Sequence, residues 1–179
     1  MKYILESERV GLRAWKDSDL EEFAALNEDP IVMKHFPKTL NLEESKAALI
    51  RMQKHQEERG YTYFTAEEKE SGEFLGFVGL YYQDYEAPLR PFVDIGWRLK
   101  RGAWGHGFAT EAARVSLKFA FDELKLDRVY SVAPVLNVPS ERVMQKIGMR
   151  KIAEFGHPKI PDDSPLKTCV FYEIKKEDF

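Results

Sequence analysis

One cysteine in 179 residues excludes an internal disulfide and any multi-cysteine metal centre. That cysteine, Cys169, sits in the strand-like run Lys167-Thr-Cys-Val-Phe-Tyr-Glu-Ile, which marks it as a sheet or core thiol rather than a nucleophile. The histidines carry no more metal signal, since His35, His55 and His157 share no ligand spacing, and no metal is expected. Excess positive charge is also missing: 27 Lys and Arg against 30 Asp and Glu leave a formal charge of −3, which argues against a nucleic-acid-binding surface. No apolar run approaches a membrane span. The amino terminus, Met1-Lys-Tyr-Ile-Leu-Glu6, offers three consecutive apolar residues, too few for a secretory leader, so the expected location is cytoplasmic. Repeats and low-complexity segments are absent too.

What is present is an ordinary globular composition, 44% hydrophobic and 32% charged, in a chain long enough for one well-filled core. Residues 1–179 are therefore read as a single domain. Val10-Gly-Leu-Arg-Ala-Trp15 alternates as a first strand, and Asp17 or Ser18 is placed to cap a helix with Leu20, Phe23, Ala24 and Leu26 on its apolar face. Asn41 caps a long helix ended by Gly60. The aromatic and β-branched runs 61–66 and 74–82, around Glu70-Ser-Gly-Glu73, form a hairpin. Residues 83–91 make a polar loop, and Phe92 to Leu99 is the next strand. After a central helix, Arg128 to Ala133 reads as a strand, the crossover pattern of a parallel pair, so the sheet is mixed and mostly antiparallel, an α/β (α+β) architecture. Asn137 caps a short helix carrying Val143, Met144 and Ile147 and stopped by Gly148, and strands at 151–155 and 168–174 flank a proline-bearing loop.

The organising stretch runs from Asp94 to Ala113. Gly105, Gly107 and Ala109 place little or no side chain where a strand hands over to a helix, so backbone N–H groups can converge on an anion. Ala109, Ala112, Ala113, Ser116 and Ala120 give the helix a small-residue stripe that lets it lie close on a sheet. A P-loop is excluded because Gly107 is followed by Phe108 and Ala109 in place of Lys-Ser/Thr. A dinucleotide fingerprint is weak, because Thr110 stands where its third glycine belongs, although Asp127 lies near the distance of a ribose contact.

Trp104-Gly-His-Gly-Phe-Ala109, followed by Thr110-Glu-Ala112, resembles the acyl-CoA pyrophosphate loop of the GNAT N-acetyltransferase superfamily, usually Gln/Arg-x-x-Gly-x-Gly/Ala. Trp104 departs from that form and resembles the branch of ribosomal-protein N-terminal alanine acetyltransferases. Ser7-Glu-Arg-Val-Gly-Leu-Arg-Ala-Trp-Lys-Asp-Ser-Asp19 with Asn27-Glu-Asp-Pro30 resembles that branch's opening, and Asn137-Val-Pro-Ser-Glu-Arg-Val-Met-Gln-Lys-Ile-Gly-Met149 resembles its later motif at every fixed position. The resemblance implies a GNAT-like acyl-CoA N-acyltransferase fold and direct acetyl transfer from acetyl-CoA to an amine: a protein N-terminus, ribosomal or other, a polyamine or another small amine. A homodimer stays open, as does a non-catalytic acyl-CoA-binding module on the same fold.

By the same resemblance, acetyl-CoA is expected along Arg98, Leu99, Trp104, Gly105, His106, Gly107, Phe108, Ala109, Thr110 and Asn137. His106 would contribute its backbone rather than act as a base. Ser140 holds the position assigned to protonating the departing thiolate, and a capping-region serine bonded to backbone is the plain alternative. Asp94, on the same strand face as Gly96, is the carboxylate placed to take the amine's proton. Its plain alternative is a strand-end aspartate paired with Arg98 or Arg90. Asp84, Glu86, Asp162 and Asp163 stand in loops expected at the acceptor mouth against one lysine, Lys159, which predicts an acidic rim attracting cationic amines.

Overall fold

The computed structural model describes residues 3–179; Met1 and Lys2, part of the amino-terminal stretch read for a leader, lie outside the described residues. Its centre is one eight-stranded sheet. In chain order the strands are β1 (Leu5–Glu6), β2 (Val10–Arg13), β3 (Tyr63–Glu68), β4 (Phe74–Gln83), β5 (Phe92–Leu99), β6 (Arg128–Pro134), β7 (Arg150–Gly156) and β8 (Thr168–Lys175). The helices are α1 (Leu20–Glu28), α2 (Leu42–Arg59), α3 (Phe108–Asp122) and α4 (Val138–Lys146). The spatial order is β1-β2-β3-β4-β5-β6-β8-β7, and β5 with β6 is the parallel pair in an otherwise antiparallel sheet. The mixed sheet expected from the strand–helix–strand order is therefore the observed one. The two-residue β1 adds an edge strand that the alternation did not signal.

Side-chain alternation divides the sheet into two faces. Val78 and Leu80 of β4 and Ile95 and Leu99 of β5 join Ala112, Ala113, Leu117, Ala120 and Phe121 of α3 in the main core, with Met144 of α4. Of the small residues that suggested close approach, Ala112, Ala113, Ser116 and Ala120 are fully buried and Ala109 is partly buried. The other face carries Phe74 and Phe77 of β4 against Trp15, Phe23, Leu26, Leu49 and Met52, so α1 and α2 lie there. Farther along, Phe92, Tyr130 and Phe171 form a separate aromatic cluster.

Local chemistry explains the helix starts. The Asn41 side chain accepts the Glu44 N–H at 2.9 Å while Glu44 accepts the Asn41 N–H at 3.0 Å, a reciprocal cap. The start of α1 differs from the sequence reading, because a 3₁₀ turn at Asp17–Asp19 precedes it and neither Asp17 nor Ser18 caps it. Asp19 instead accepts the Lys16 N–H at 2.8 Å, because its carboxylate is drawn inward to Arg13.

Candidate active site

Asp94 lies midway along the second face, registered with Tyr81 of β4 on one side and Tyr130 of β6 on the other. That pairing with Tyr130 is the single register pair of the parallel ladder. Just past it the Ser131 hydroxyl donates to the Ile95 carbonyl at 2.9 Å, and beyond Ile95 no β5 residue registers with β6. The strands therefore part around Gly96, leaving β5 backbone groups on that side without ladder partners.

The Asp94 carboxylate is 7% exposed and accepts the Tyr63 hydroxyl at 2.6 Å and the Gln83 amide at 3.1 Å. The alternative of an arginine partner does not hold. Arg90 pairs with Asp84 at 2.7 Å. Arg98 donates to the buried Asn27 side chain and lies 4.1 Å over the Phe36 ring, where burial pushes its guanidinium down to about 10. Burial without a cation raises the Asp94 carboxyl to about 7, although the Tyr63 and Gln83 hydrogen bonds and the charge of Lys159 pull the other way. Tyr63 itself is pushed well above the ordinary phenol range, first by burial and then by the Asp94 charge, so it stays a neutral donor.

The loop from Leu99 to Thr110 was legible as a glycine turn, and its conformation gives the reason. Gly105 and Gly107 have φ of +78° and +84°, a region that side-chain-bearing residues avoid. A Cβ at Gly105 would meet nothing within 4 Å, so that surface is open. Helix α3 begins at Phe108 and its first bond is Glu111 N–H to the Gly107 carbonyl at 3.0 Å, which leaves the N–H groups of Phe108, Ala109 and Thr110 ahead of the ladder. The turn can thus receive an anion through backbone donors.

Not every predicted loop side chain faces outward. Phe108 is buried in the main core, so only its backbone borders the turn. The Trp104 indole N–H is spent on the Leu99 carbonyl at 2.7 Å, bracing the end of β5, while the ring is 46% exposed. The Leu99 side chain is buried. His106 stacks on Phe108 with ring centroids 5.8 Å apart.

Asn137 caps α4 by accepting the Ser140 N–H at 3.3 Å. The capping oxygen is thus Asn137's; the Ser140 hydroxyl, half-buried in the first helical turn, has no hydrogen-bond partner among the described residues. Cys169 is buried, as expected of a core thiol, and burial pushes it up to about 11. Among the described residues no group of three or more His, Cys, Asp or Glu could hold a metal, and no helix is long and apolar enough to cross a membrane.

The acids expected at the rim are partly paired. Asp84 is paired with Arg90, Asp162 is paired with Lys167 at 2.7 Å, and Lys159 sits 5.1 Å from the Tyr85 ring centre. Cations thus offset two of the four acids expected to draw a cationic acceptor. Sequence reasoning also missed Tyr63 and Gln83. Their sole signal was strand alternation, which shows a side chain's face but not its cross-strand partner.

The profile of the acetyltransferase (GNAT) domain matches residues 9–150. Among curated relatives, the uncharacterized protein YkkB of Bacillus subtilis is 32% identical over 81% of this chain and 84% of its own length. The uncharacterized N-acetyltransferase YnaD of the same organism is 26% identical over 98% of each chain. Among solved structures, a GNAT-family acetyltransferase from Bacillus anthracis superposes with a TM-score of 0.80 at 26% identity, covering 97% of this chain and 98% of its own. The ribosomal-protein-S5-alanine acetyltransferase from Vibrio fischeri shares the fold, with a TM-score of 0.71 at 20% identity over 97% and 96% of the two chains. An eight-stranded sheet that opens between its parallel strands, a glycine turn at a helix start and a profile match over most of the chain lead to one conclusion: this chain belongs to the GNAT acetyltransferase family and is an N-acetyltransferase.

Proposed function

We propose that this enzyme transfers an acetyl group from acetyl-CoA directly to a primary amine, in the cytoplasm, with Asp94 as the proton acceptor and Ser140 as the proton donor. The observation that carries the reading is Asp94, a buried carboxylate without a cation, poised near neutrality where β5 and β6 part. The fit to the cofactor rests on the turn: two glycines at positive φ, an unobstructed surface at Gly105 and free N–H groups at the head of α3 suit a diphosphate. Acetyl-CoA supplies the acyl group as a thioester, a carbonyl already activated toward an amine.

The residues of the chain do the rest. An α-amine with a pKa near ~8 or a lysine near ~10.4 is largely protonated at neutral pH and must lose a proton before its nitrogen can attack. Asp94 takes that proton, directly or through a water, and the neutral Tyr63 and Gln83 hold its carboxylate in place. A β5 backbone N–H past Ile95, without a ladder partner, is placed to bond the carbonyl oxygen as it gains charge, an effect worth a few kcal/mol. As the C–S bond breaks, Ser140 gives its hydroxyl proton to the sulfur, and the proton that the nitrogen sheds in becoming an amide returns through water to Ser140. Its hydroxyl is available because Asn137 supplies the cap. A protein N-terminus, a polyamine or another small amine is the acceptor class.

The test is a screen of such amines for free CoA release, repeated with Ser140→Ala. Loss of kcat on the order of 10²-fold with acetyl-CoA affinity intact supports the donor role. Unchanged kcat at saturating substrates removes Ser140 from the mechanism, and no CoA release with any amine would sink the whole reading.

A further inference from the structure

The loop motif has a gap. Its first position, ordinarily a Gln or Arg side chain, is Trp104, whose one donor is already committed to the Leu99 carbonyl. A cation nevertheless reaches the turn from the opposite end of the sequence. Arg9, in the connection between β1 and β2, donates through Nη2 to the His106 carbonyl at 3.0 Å. Its Nε and Nη2 also grip the Glu111 carboxylate at 2.9 and 2.7 Å, and its backbone N–H reaches the other Glu111 oxygen at 2.8 Å. The Ser7 hydroxyl adds a bond to that second oxygen at 2.7 Å. The guanidinium lies 4.9 Å over the Phe108 ring, and a Cβ built on Gly107 would come 3.5 Å from Arg9 Nη2. Arg9 thus touches the glycine turn itself, and its Nη1 has no partner among the described residues.

Resting on the acetyl-CoA reading above, we propose that Arg9 is the positioning residue of the diphosphate site, completing from outside the motif the cradle that Trp104 leaves without a side-chain cation. Two physical effects support the role. A trans peptide is planar, with its C=O and the following N–H pointing in opposite directions. By holding the His106 carbonyl, Arg9 fixes that peptide plane and turns the Gly107 N–H away from itself, at the residue just before the free donors of α3. The second effect is charge. Glu111 stands in the first turn of α3, where a bare carboxylate would repel a diphosphate, and Arg9 neutralises it with two charge-assisted bonds to one carboxylate oxygen.

The experiment is calorimetry with CoA and with pantetheine, which lacks the diphosphate, on the full chain. Arg9→Met should weaken CoA binding by about tenfold or more, as expected for a lost charge-assisted contact, while changing pantetheine binding less than about twofold. Adding Glu111→Gln should recover part of the CoA loss, because the exposed carboxylate is removed with its partner. Equal weakening of both ligands would make Arg9 an ordinary fold contact and overturn the proposal, as would unchanged CoA binding. If Arg9→Met does not fold, Arg9→Lys serves: it keeps the charge but not the fork, and its loss must again be confined to CoA. A wild-type chain that binds no CoA at all would instead refute the cofactor reading on which this proposal rests.

Discussion

Asp19 and Asp94 are both aspartates buried under the same face of one sheet, 4% and 7% exposed, and they are held in opposite ways. Asp19 takes a bidentate grip from Arg13 at 2.8 Å to each oxygen, the Lys16 N–H, and a long contact from Thr65 at 3.3 Å. Arg13 also bonds Glu67 at 2.6 Å, so one guanidinium serves two acids. Burial alone would push the Asp19 carboxyl up, but the Arg13 hydrogen bonds and charge and the Lys16 N–H hold it below the usual range. Asp94 has neutral partners and rises to about 7. A cation at hydrogen-bond distance fixes a buried carboxylate as a structural anion. Replacing it with a phenol and an amide leaves a group able to exchange a proton near neutral pH, at a cost to the fold.

The sharpest way to break this contrast is Asp94→Asn. It should lower kcat by about 10²-fold or more while the protein stays folded, measured as CoA release at saturating amine. A variant as active as wild type would place the proton acceptor elsewhere. Arg13→Met tests the other half: stripping the cation from two buried acids should cost about 3–5 kcal/mol of unfolding free energy in urea, with kcat per folded molecule nearly unchanged. If stability held and turnover collapsed instead, the roles assigned to the two acids would be reversed.

A third test uses linkage. Asp94 has a folded pKa of about 7, above its ordinary value of 3.8, so the folded state binds the extra proton between those limits. Its contribution therefore declines as pH rises from about 4 to about 7, by up to roughly 4 kcal/mol. Asp19 has the opposite sign, since its contribution is present above the ordinary carboxylate range and is lost as pH falls through its lowered folded pKa. Urea denaturation across pH 4 to 8 should show a falling component in wild type that vanishes in Asp94→Asn; equal profiles would mean that Asp94 does not titrate in that window. The smallest expected effect is that of Tyr63→Phe. Because the Tyr63 hydrogen bond lowers the Asp94 pKa, its removal should move the acid limb of kcat/KM toward higher pH without abolishing activity. A shift the other way would mean that the phenol does not stabilise the carboxylate.

The chain's local grammar was read correctly where chemistry acts within a few residues. The Asn41 and Asn137 caps, the glycine turn before α3 and the small-residue stripe of α3 each depend on spacings of a few positions. The α1 start was misread for the complementary reason, because Asp17 and Ser18, expected as its cap, fall in a 3₁₀ turn before it, and the Asp17 carboxylate meets the Gln53 amide of another helix at 3.3 Å. The acidic loops were read incompletely in the same way, because Asp84 and Asp162 meet Arg90 and Lys167, which the loop sequences alone did not pair.

The sequence by itself thus determined the family, the order of elements, the mixed sheet and the glycine turn, because backbone preference, periodicity and motif spacing are written in neighbouring residues. Only the tertiary structure decided what the charged and polar groups do. It brought Tyr63 and Gln83 to Asp94, sent Arg98 to Asn27, and carried Arg9 across nearly a hundred residues to His106. Those outcomes depend on distances of a few ångströms between segments far apart in the chain. Hydrogen bonding and the cost of burying a charge are settled at that scale, and no local pattern encodes them.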